Sequence, residues 1–259
     1  MRNLLGQHFL KTLVPVELML KSAKEEPAVD LVLEVGPGKG MLTRELAKNF
    51  SKIVAIEKDR RLAEELKRNL EIEKIRNCEI IADDILQTDI EPLVGRKKYA
   101  VIANIPYYLT SRLIRTFLET DHQPSYMILM VQQEVAERII AKPPHLNLLA
   151  LSVQAYGGAK IICLVSKKNF APQPKVDSAI IKISGISKDF FAKNKISEKE
   201  FFKILKTAFS QKRKQLINSI EKFYDSKKTA SAQIKKAGIS PTSRPQELTL
   251  THWLKLVKA

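Results

Sequence analysis

A glycine-rich loop is the first part of the sequence whose residue types and spacing could do chemistry. It spans residues 34–40, reads Glu-Val-Gly-Pro-Gly-Lys-Gly, and continues directly from the apolar run Leu31–Val35. Glycines at a strand-to-helix turn let a ligand approach the backbone closely. A dinucleotide fingerprint needs a glycine three residues after Gly38, where this chain has Met41, and a P-loop needs Ser or Thr after its Gly-Lys pair. Both patterns are therefore excluded, and an acid-x-Gly-x-Gly-x-Gly pattern remains.

The remaining pattern resembles the cofactor loop of S-adenosylmethionine-dependent methyltransferases. Glu57 ends the next apolar run, 21 residues after Gly36, where an acid can accept hydrogen bonds from both hydroxyls of a ribose. Asp83 and Asp84 follow a third run, Glu79–Ala82, where a carboxylate can accept a hydrogen bond from an adenine amino group. Because ligands of open α/β sheets bind at the carboxyl edge of the strands, we expect these acids and glycines to share one site.

A fourth motif, Asn104-Ile105-Pro106-Tyr107, follows the apolar run Tyr99–Ala103 and resembles the Asn/Asp-Pro-Pro-Tyr motif of amino-methyltransferases. The lone pair of an adenine N6 amine is delocalised into the ring, which makes the nitrogen a poor nucleophile. Hydrogen bonds from its two N–H groups to the Asn104 side chain and the Ile105 carbonyl would favour a pyramidal, nucleophilic nitrogen. Pro106 rigidifies the turn, and Tyr107 offers a face for stacking. Such a displacement depends on positioning and needs no strong general base.

These motifs need a scaffold that brings the ends of several strands together. Strand-like and helix-like segments alternate over the first 185 residues, which predicts βαβ units and a mainly parallel, Rossmann-like sheet. The further strand candidate is Tyr126–Val131, and the helix candidates are Met41–Phe50, Arg60–Leu70, Ser111–Leu118 and Gln132–Ile140. Two later runs, Ile161–Val165 and Ala179–Ile183, have no long helix between them. We therefore predict that they form an antiparallel pair of edge strands.

From Glu198 onward the spacing of apolar residues predicts helices only, with Gly238 as a C-cap. These helices are Glu198–Phe209, Gln211–Phe223, Thr229–Ala237 and Leu250–Val257. We predict two domains, a cofactor-binding domain at 1–185 and a small all-helical domain at 186–259. Residues 160–259 hold 22 Lys and Arg against 7 Asp and Glu, whereas residues 1–159 hold 22 against 21. The net charge of +16 is thus concentrated at one end, which favours a polyanion as partner. A solvated helix face would show the same excess.

The composition excludes several classes of protein. With 44% hydrophobic residues in 259, the chain can bury a sizeable core. Its two cysteines stand far apart, which excludes a disulfide framework and a paired-cysteine zinc or redox site. No apolar run approaches the roughly 20 residues of a membrane helix, and the interrupted N-terminus is no signal peptide. We expect a cytoplasmic protein with no metal and no membrane partner, and a monomer because no feature demands a dimer.

Taken together, the motifs are similar to those of the 16S ribosomal RNA adenine N6,N6-dimethyltransferase family. The resemblance runs almost end to end, through Leu5–Leu10, 34–40, Ile56–Asp59, Asp83–Ile85, Asn104–Tyr108, Gln133–Arg138, Asn169–Ser178, Ala208–Lys214 and Arg244–Leu248. It implies a Rossmann-like class I methyltransferase sheet with a small all-helical C-terminal domain that binds rRNA. It also implies methyl transfer from S-adenosylmethionine to N6 of two adjacent adenines near the 3′ end of 16S rRNA in the small ribosomal subunit, during ribosome biogenesis.

The resemblance further implies roles for individual residues. The cofactor would contact His8, Leu10, Gly36, Gly38, Glu57, Asp84 and Asn104, with Asp84 preferred to Asp83. At His8 the family more often carries Asn. The catalytic turn would be Asn104, Ile105, Pro106 and Tyr107. The substrate would contact Tyr107, Phe170, Lys212 and Arg213, with Phe170 sandwiching the target base and the two basic residues gripping rRNA phosphates.

Three other functions compete with this interpretation. The 23S rRNA adenine methyltransferases of macrolide resistance share the fold and most motifs, although the Gln211–Lys214 and Arg244–Leu248 segments fit the small-subunit family better. A non-catalytic ribosome-assembly or transcription factor could use the same scaffold, but intact Glu57, Asp84 and Asn104 argue against lost catalysis. A nicotinamide-dependent dehydrogenase lacks the third fingerprint glycine.

Overall fold

The computed structural model of the protein describes residues 8–211, 214–224 and 226–258. Its strands are β1 (Phe9–Leu10), β2 (Leu31–Val35), β3 (Ile53–Glu57), β4 (Cys78–Ala82), β5 (Tyr99–Asn104), β6 (Tyr126–Gln132), β7 (Gly158–Val165), β8 (Phe170–Ala171) and β9 (Ser178–Ser184). Its helices are α1 (Val14–Ala23), α2 (Met41–Asn49), α3 (Arg60–Ile72), α4 (Glu91–Val94), α5 (Thr110–Glu119), α6 (Gln133–Ile139), α7 (Leu148–Tyr156), α8 (Asp189–Asn194), α9 (Glu198–Phe209), α10 (Leu216–Ile220), α11 (Lys227–Lys236) and α12 (Leu250–Lys258).

Seven strands form one sheet in the order β4-β3-β2-β5-β6-β9-β7. The pairs from β4 through β6 are parallel, and β9 runs antiparallel to both β6 and β7. Every residue of β2 and β3 is buried, which is typical of parallel strands covered on both faces. The predicted Rossmann-like, mainly parallel sheet is therefore confirmed.

The two late strands are antiparallel as predicted, but the prediction that both are edge strands is wrong for β9. This strand lies between β6 and β7 and pairs with each along its length. Its residues Ile180, Ile181 and Ile183 are fully buried, so both of its faces are covered. Only β7 lies at this end of the sheet, and its exposed and buried residues intermingle.

Helix α1 packs into the core of the sheet, although the sequence analysis does not predict it. Its residues Val16 and Met19 share a hydrophobic cluster with Leu46 of α2 and Val32 of β2. Pro15 stands in its first turn, where a missing N–H costs nothing. The helix follows directly on β1, so it fixes the start of the described chain against the sheet.

The chain divides into two compact units, Met1–Glu137 with Gly158–Ile186, and Arg138–Gly157 with Ser187–Ala259. The first contains the sheet. The second is helical, and its core includes Phe201, Leu205, Ile234 and Trp253. Residues 138–157 thus group with the second unit, whereas the predicted boundary at 185 and 186 assigns them to the first domain. In the portion that the structure describes, no helix is long and apolar enough to span a membrane.

The predicted helix Gln211–Phe223 is wrong in its extent. Helix α10 covers Leu216–Ile220, and a short 3-10 turn follows as far as Phe223. The backbone of Gln215 is extended, with φ −59° and ψ 148°, because the Leu216 N–H donates to the Ser243 carbonyl at 2.7 Å instead of continuing an earlier helical turn.

Candidate functional site

A cavity of about 470 Å³ opens at the carboxyl ends of β2, β3 and β5. Among the residues that line it are His8, Leu10, Gly36, Gly38, Glu57, Asn104, Tyr107 and Phe170. The parallel strands β3, β2 and β5 are neighbours in the sheet and all end here, which brings together motifs about 20 to 70 residues apart in the sequence. The volume is that of a site for a small organic ligand.

The glycine loop reaches this cavity with backbone angles that other residues adopt at a cost. Gly36 and Gly38 have φ of +68° and +55°. A Cβ on Gly38 would lie 2.9 Å from the ring of Phe9, closer than atoms can approach without a shift. The loop therefore needs glycine for its conformation and for the close contact with Phe9.

Glu57 holds the glycine loop in place. Its Oε2 accepts a hydrogen bond from the Gly38 N–H at 3.0 Å, and its Oε1 accepts one from the Asp59 N–H at 3.0 Å. Burial raises the pKa of this carboxyl, and the two amide donors partly oppose the shift. Each oxygen keeps a lone pair for a ligand hydroxyl. Glu57 can therefore organise the loop and bind a ribose at the same time.

A small second cavity, of about 40 Å³, shares Gly36, Glu57 and Pro106 with the first. Asp83 and Asp84 both line it, but they are engaged differently. Asp83 accepts hydrogen bonds from the Asp84 N–H at 2.7 Å and the Thr88 hydroxyl at 2.9 Å, which fixes the turn after β4.

Asp84 makes an ion pair at this second cavity. Its Oδ2 lies 2.8 Å from Lys58 Nζ, and its Oδ1 accepts from the Leu86 N–H at 3.1 Å. The hydrogen bond from Lys58 lowers the pKa of the Asp84 carboxyl, so it is an anion at neutral pH. A carboxylate in this position can accept a hydrogen bond from an amino group of a ligand.

Asn104 is the last residue of β5, and its side-chain amide makes no hydrogen bond to any described residue. The backbone around it is fixed, because the Ile105 N–H donates to the Met130 carbonyl at 3.1 Å and the Leu109 N–H donates to the Pro106 carbonyl at 3.0 Å. The Asn104 amide oxygen is thus a free acceptor held on a rigid turn at the cavity wall.

Tyr107 lies at the same wall. Its hydroxyl shares a hydrogen bond of 3.1 Å with the Ser178 hydroxyl, and its ring centroid lies 5.6 Å from that of His8. Burial raises the pKa of the Tyr107 hydroxyl, so this group keeps its proton. The ring is half-buried, which leaves part of it available to a ligand.

The segment before α1 closes one side of the cavity by pairing with residues far along the chain. β1 and β8 form a two-stranded sheet with Phe9 opposite Ala171 and Leu10 opposite Phe170. The Lys11 N–H donates to the Asn169 carbonyl at 2.8 Å, and the Thr12 hydroxyl donates to the Asn169 side chain at 2.9 Å. We call residues 8–12 and 169–172 together the N-terminal clip. The sequence analysis does not predict this pairing, because two-residue strands carry no periodicity.

His8 belongs to the clip. Its Nδ1 lies 2.7 Å from the Pro172 carbonyl, which is an acceptor only, so Nδ1 carries the proton. The other ring nitrogen, Nε2, remains for a ligand. His8 therefore offers the cavity one ring nitrogen.

Phe170 is both a core residue and a cavity residue. It is 2% exposed and packs in the hydrophobic cluster with Val16, Met19 and Ile180. Its ring forms part of the cavity wall. Little of the ring is open to solvent, so its predicted contact with a target base stays a prediction.

Glu34 is a cavity residue to which the sequence analysis assigns no role of its own. It is 1% exposed, and burial raises its pKa to about 8, with the nearby Glu57 adding to the shift and Thr43 opposing it. Its Oε2 makes no well-formed hydrogen bond within the described ranges. The sequence does contain a signal for Glu34, because this residue is the acid of the acid-x-Gly-x-Gly-x-Gly motif. An unpartnered carboxyl at this wall can satisfy a donor group of a ligand.

Two further points concern residues other than those at the cavity wall. Lys212 and Arg213 fall outside the described residues. Across residues 8–211, 214–224 and 226–258, no three His, Cys, Asp or Glu side chains are grouped so that they could hold a metal ion. At the cavity wall itself, Glu34 and Glu57 offer carboxyl oxygens to hydrogen-bond donors of a ligand.

Comparisons with known proteins agree with this arrangement. The family model described as ribosomal RNA adenine dimethylase matches residues 1–259. Ribosomal RNA small subunit methyltransferase A of Dehalococcoides mccartyi is 38% identical over 98% of this chain and 87% of its own length. The protein of the same name from Enterococcus faecalis is 36% identical over 98% of this chain and 88% of its own.

Solved structures extend the similarity to the fold. A dimethyladenosine transferase from Plasmodium falciparum superposes with a TM-score of 0.80 and 26% identity, covering 96% of each chain. The 23S rRNA methyltransferase ErmE superposes with a TM-score of 0.73 at 23% identity, covering 96% of this chain and 98% of its own. The second match shows a common fold.

Proposed function

The chain belongs to the ribosomal RNA adenine dimethylase family, and from this membership we propose its reaction. It transfers methyl groups from S-adenosylmethionine to N6 of two adjacent adenines near the 3′ end of 16S rRNA in the small ribosomal subunit, giving dimethyladenosines during ribosome biogenesis. One observation carries the assignment of the site. The Asn104 amide has no hydrogen-bond partner among the residues that the structure describes, and it lies at the wall of a cavity that Gly36, Glu57 and Tyr107 also line.

The residues present fit S-adenosylmethionine. The cofactor carries N–H donors on its amino group and O–H donors on its ribose, and the Glu34 and Glu57 carboxyls offer acceptor oxygens at the cavity wall. Glu57 would hold the ribose and Asp84 the adenine amine, and Gly36 and Gly38 line the same cavity as Glu57. His8 and Leu10, from the N-terminal clip, would cover the methionine part. When bound, the cofactor supplies a methyl group activated by the sulfonium.

The turn from Asn104 to Tyr107 would act on the target adenine. Asn104 Oδ1 and the Ile105 carbonyl would each accept one N–H of the N6 amine, which turns its lone pair away from the ring. Tyr107 would stack on the base, and Phe170 would contact its other face. No strong base is required, because aligned reactants supply most of the rate gain. The adenine must leave its own stack to reach this position.

The basic residues of the last 100 positions of the chain would hold the RNA. Residues 160–259 carry 22 Lys and Arg against 7 Asp and Glu, and Lys212 and Arg213 belong to this set. Contacts to phosphate position a nucleic acid without reading its sequence. We propose that these residues bind rRNA, and that the protein acts as a cytoplasmic monomer.

Methyl transfer from labelled S-adenosylmethionine tests the function. Unmethylated small subunits, large subunits and free rRNA are offered in parallel, and the modified base is mapped. We expect dimethyladenosine at the two adenines near the 3′ end of 16S rRNA. Label confined to 23S rRNA would assign the chain to the resistance methyltransferases. No transfer with tight subunit binding would favour an assembly factor without catalysis.

A further inference from the structure

The hydroxyl of Tyr107 is hydrogen-bonded to a residue far along the chain, Ser178, at the edge of the sheet where the parallel strands end (the functional edge). Tyr107 Oη and Ser178 Oγ are 3.1 Å apart. Ser178 is fully buried, whereas the Tyr107 ring is half-buried at the cavity wall. A buried hydroxyl that faces the tip of an active-site ring can fix the orientation of that ring.

Strand direction explains why a residue so late in the sequence reaches the site. Strands β5 and β6 are parallel, so both end at the functional edge. Strand β9 is antiparallel to β6, so it begins where β6 ends, and its first residue is Ser178. The Cα register places Ser178 opposite Gln132 on one side and Val165 on the other.

The backbone around Ser178 is held more firmly than a loop would hold it. Besides the ladders on both sides, the preceding Asp177 accepts a hydrogen bond at its carbonyl from the Gln133 N–H, at 3.0 Å. Its Oδ1 accepts another from the Lys167 N–H, at 2.8 Å. Ser178 Oγ is therefore an anchor with little freedom to move.

Tyr107 is fixed at its other end by the rigid turn after β5. The turn thus fixes the backbone of Tyr107 and Ser178 binds its hydroxyl, so the ring is held at both ends, and its centroid lies 5.6 Å from that of His8. Stacking alone does not require the Tyr107 hydroxyl or its hydrogen bond, because a phenylalanine ring could stack equally well.

We propose that Ser178 is a positioning residue that holds the Tyr107 ring in the orientation needed for methyl transfer. The proposal rests on the proposed function of the Asn104–Tyr107 turn. The demand on the ring is greatest in the second transfer, because the monomethylated amine is larger and must turn its remaining N–H toward an acceptor. Loss of the anchor should therefore slow the second transfer at least as much as the first.

Two single variants and their combination separate positioning from mere packing. Tyr107→Phe keeps the ring and removes its hydroxyl, and Ser178→Ala removes the other partner. If the hydrogen bond matters for positioning, each single variant has the same defect and the double variant is no worse. Ser22→Ala is the matched control, because Ser22 is also a buried serine of the first unit and its hydroxyl has no partner in the described chain.

The experiment measures single-turnover transfer to unmethylated small subunits at saturating cofactor, together with the ratio of monomethyl- to dimethyladenine, cofactor affinity and melting temperature. We expect about a tenfold slower transfer in each single variant, the value of one hydrogen bond of ordinary strength. Monomethyladenine should accumulate, cofactor affinity should stay within about twofold of wild type, and the control should match wild type.

The outcomes distinguish this proposal from the proposed function. If the wild-type protein modifies small subunits and both single variants keep its rate and product ratio, the role of Ser178 is overturned and the proposed function stands. The same holds if Ser178→Ala lowers melting temperature and cofactor affinity while Tyr107→Phe has no defect, since that result describes a packing role. Wild-type protein that methylates no adenine overturns the proposed function, and the role of Ser178 with it.

Discussion

Replacement of Glu34 by Gln should stabilise the cofactor-free protein at alkaline pH and change it little at acid pH. Glu34 is 1% exposed, and its burial raises the pKa from 4.5 to about 8. Between these two values the folded protein keeps a proton on this carboxyl, whereas the unfolded chain has released it. Because the folded state binds more protons, the free energy of unfolding must fall as the pH rises through this window.

The size of the effect follows from the two pKa values. One pKa unit corresponds to about 1.4 kcal/mol, so the whole shift amounts to about 5 kcal/mol once the pH exceeds the folded-state value. Between pH 5 and pH 8 the wild-type protein should lose about 3 to 4 kcal/mol of stability through Glu34. Gln does not titrate, so the variant avoids this loss. Any cost of fitting the amide NH₂ into the site is the same at both pH values and cancels in the comparison.

Urea unfolding at pH 5 and pH 8 measures this difference in wild type, Glu34→Gln and a control, Glu65→Gln, which removes an exposed carboxylate from α3. The stability of Glu34→Gln relative to wild type should rise by several kcal/mol from the lower to the higher pH, and that of Glu65→Gln should change little. An equal difference between Glu34→Gln and wild type at both pH values would refute the reasoning, because it would mean that folding leaves the protonation of Glu34 unchanged.

Three further predictions concern the site and the RNA. Asn104→Ala should abolish methyl transfer and leave cofactor affinity mostly intact, because the amide acts on the adenine. Single-turnover assays measure the transfer and calorimetry measures the cofactor affinity. Transfer at the native rate would contradict the catalytic role. Asp84→Asn should weaken cofactor binding at least about tenfold, since a hydrogen bond to a charged group contributes about 1.5–3 kcal/mol. Its melting temperature should change little, because Lys58 in the broken ion pair is 52% exposed; unchanged affinity would remove Asp84 from the site. Lys212→Ala combined with Arg213→Ala should weaken RNA binding and flatten the slope of log affinity against log salt by about 1.5, the value for two phosphate contacts. A binding titration at several salt concentrations measures this slope, and the wild-type slope in the variant would show that neither residue contacts phosphate.

The parallel strands could be predicted from the sequence because burial on both faces leaves a plain signal. The runs Leu31–Val35 and Tyr99–Ala103 are short, apolar and followed by turn residues, and each forms a strand with those bounds or one residue more. The residues after them could be predicted for the same reason, since strand ends converge at one edge. Glu57, Asn104 and Tyr107 accordingly line one cavity.

The parts that were not predicted lack a local pattern. Helix α7 is buried almost all round, so its residues show no polar face and no helical period. The two-residue strands β1 and β8 are too short for any alternation. The position of β9 inside the sheet depends on which neighbours it pairs with, and pairing partners are a property of the whole fold. Ser178 and Tyr107 each belong to a motif of the sequence, but their contact depends on the position of β9 and could not be predicted from either motif.

The N-terminal clip has a consequence for local unfolding. Each of its two strands has only two residues, and the paired residues are separated by about 160 positions along the chain. Segments with so few hydrogen bonds open at a small fraction of the global unfolding free energy. Amide hydrogen exchange at Lys11 should therefore be orders of magnitude faster than at Ile102 in the centre of β5. Because Leu10 and Phe170 are at once clip residues and cavity walls, the same small opening uncovers the cavity while the seven-stranded sheet stays folded.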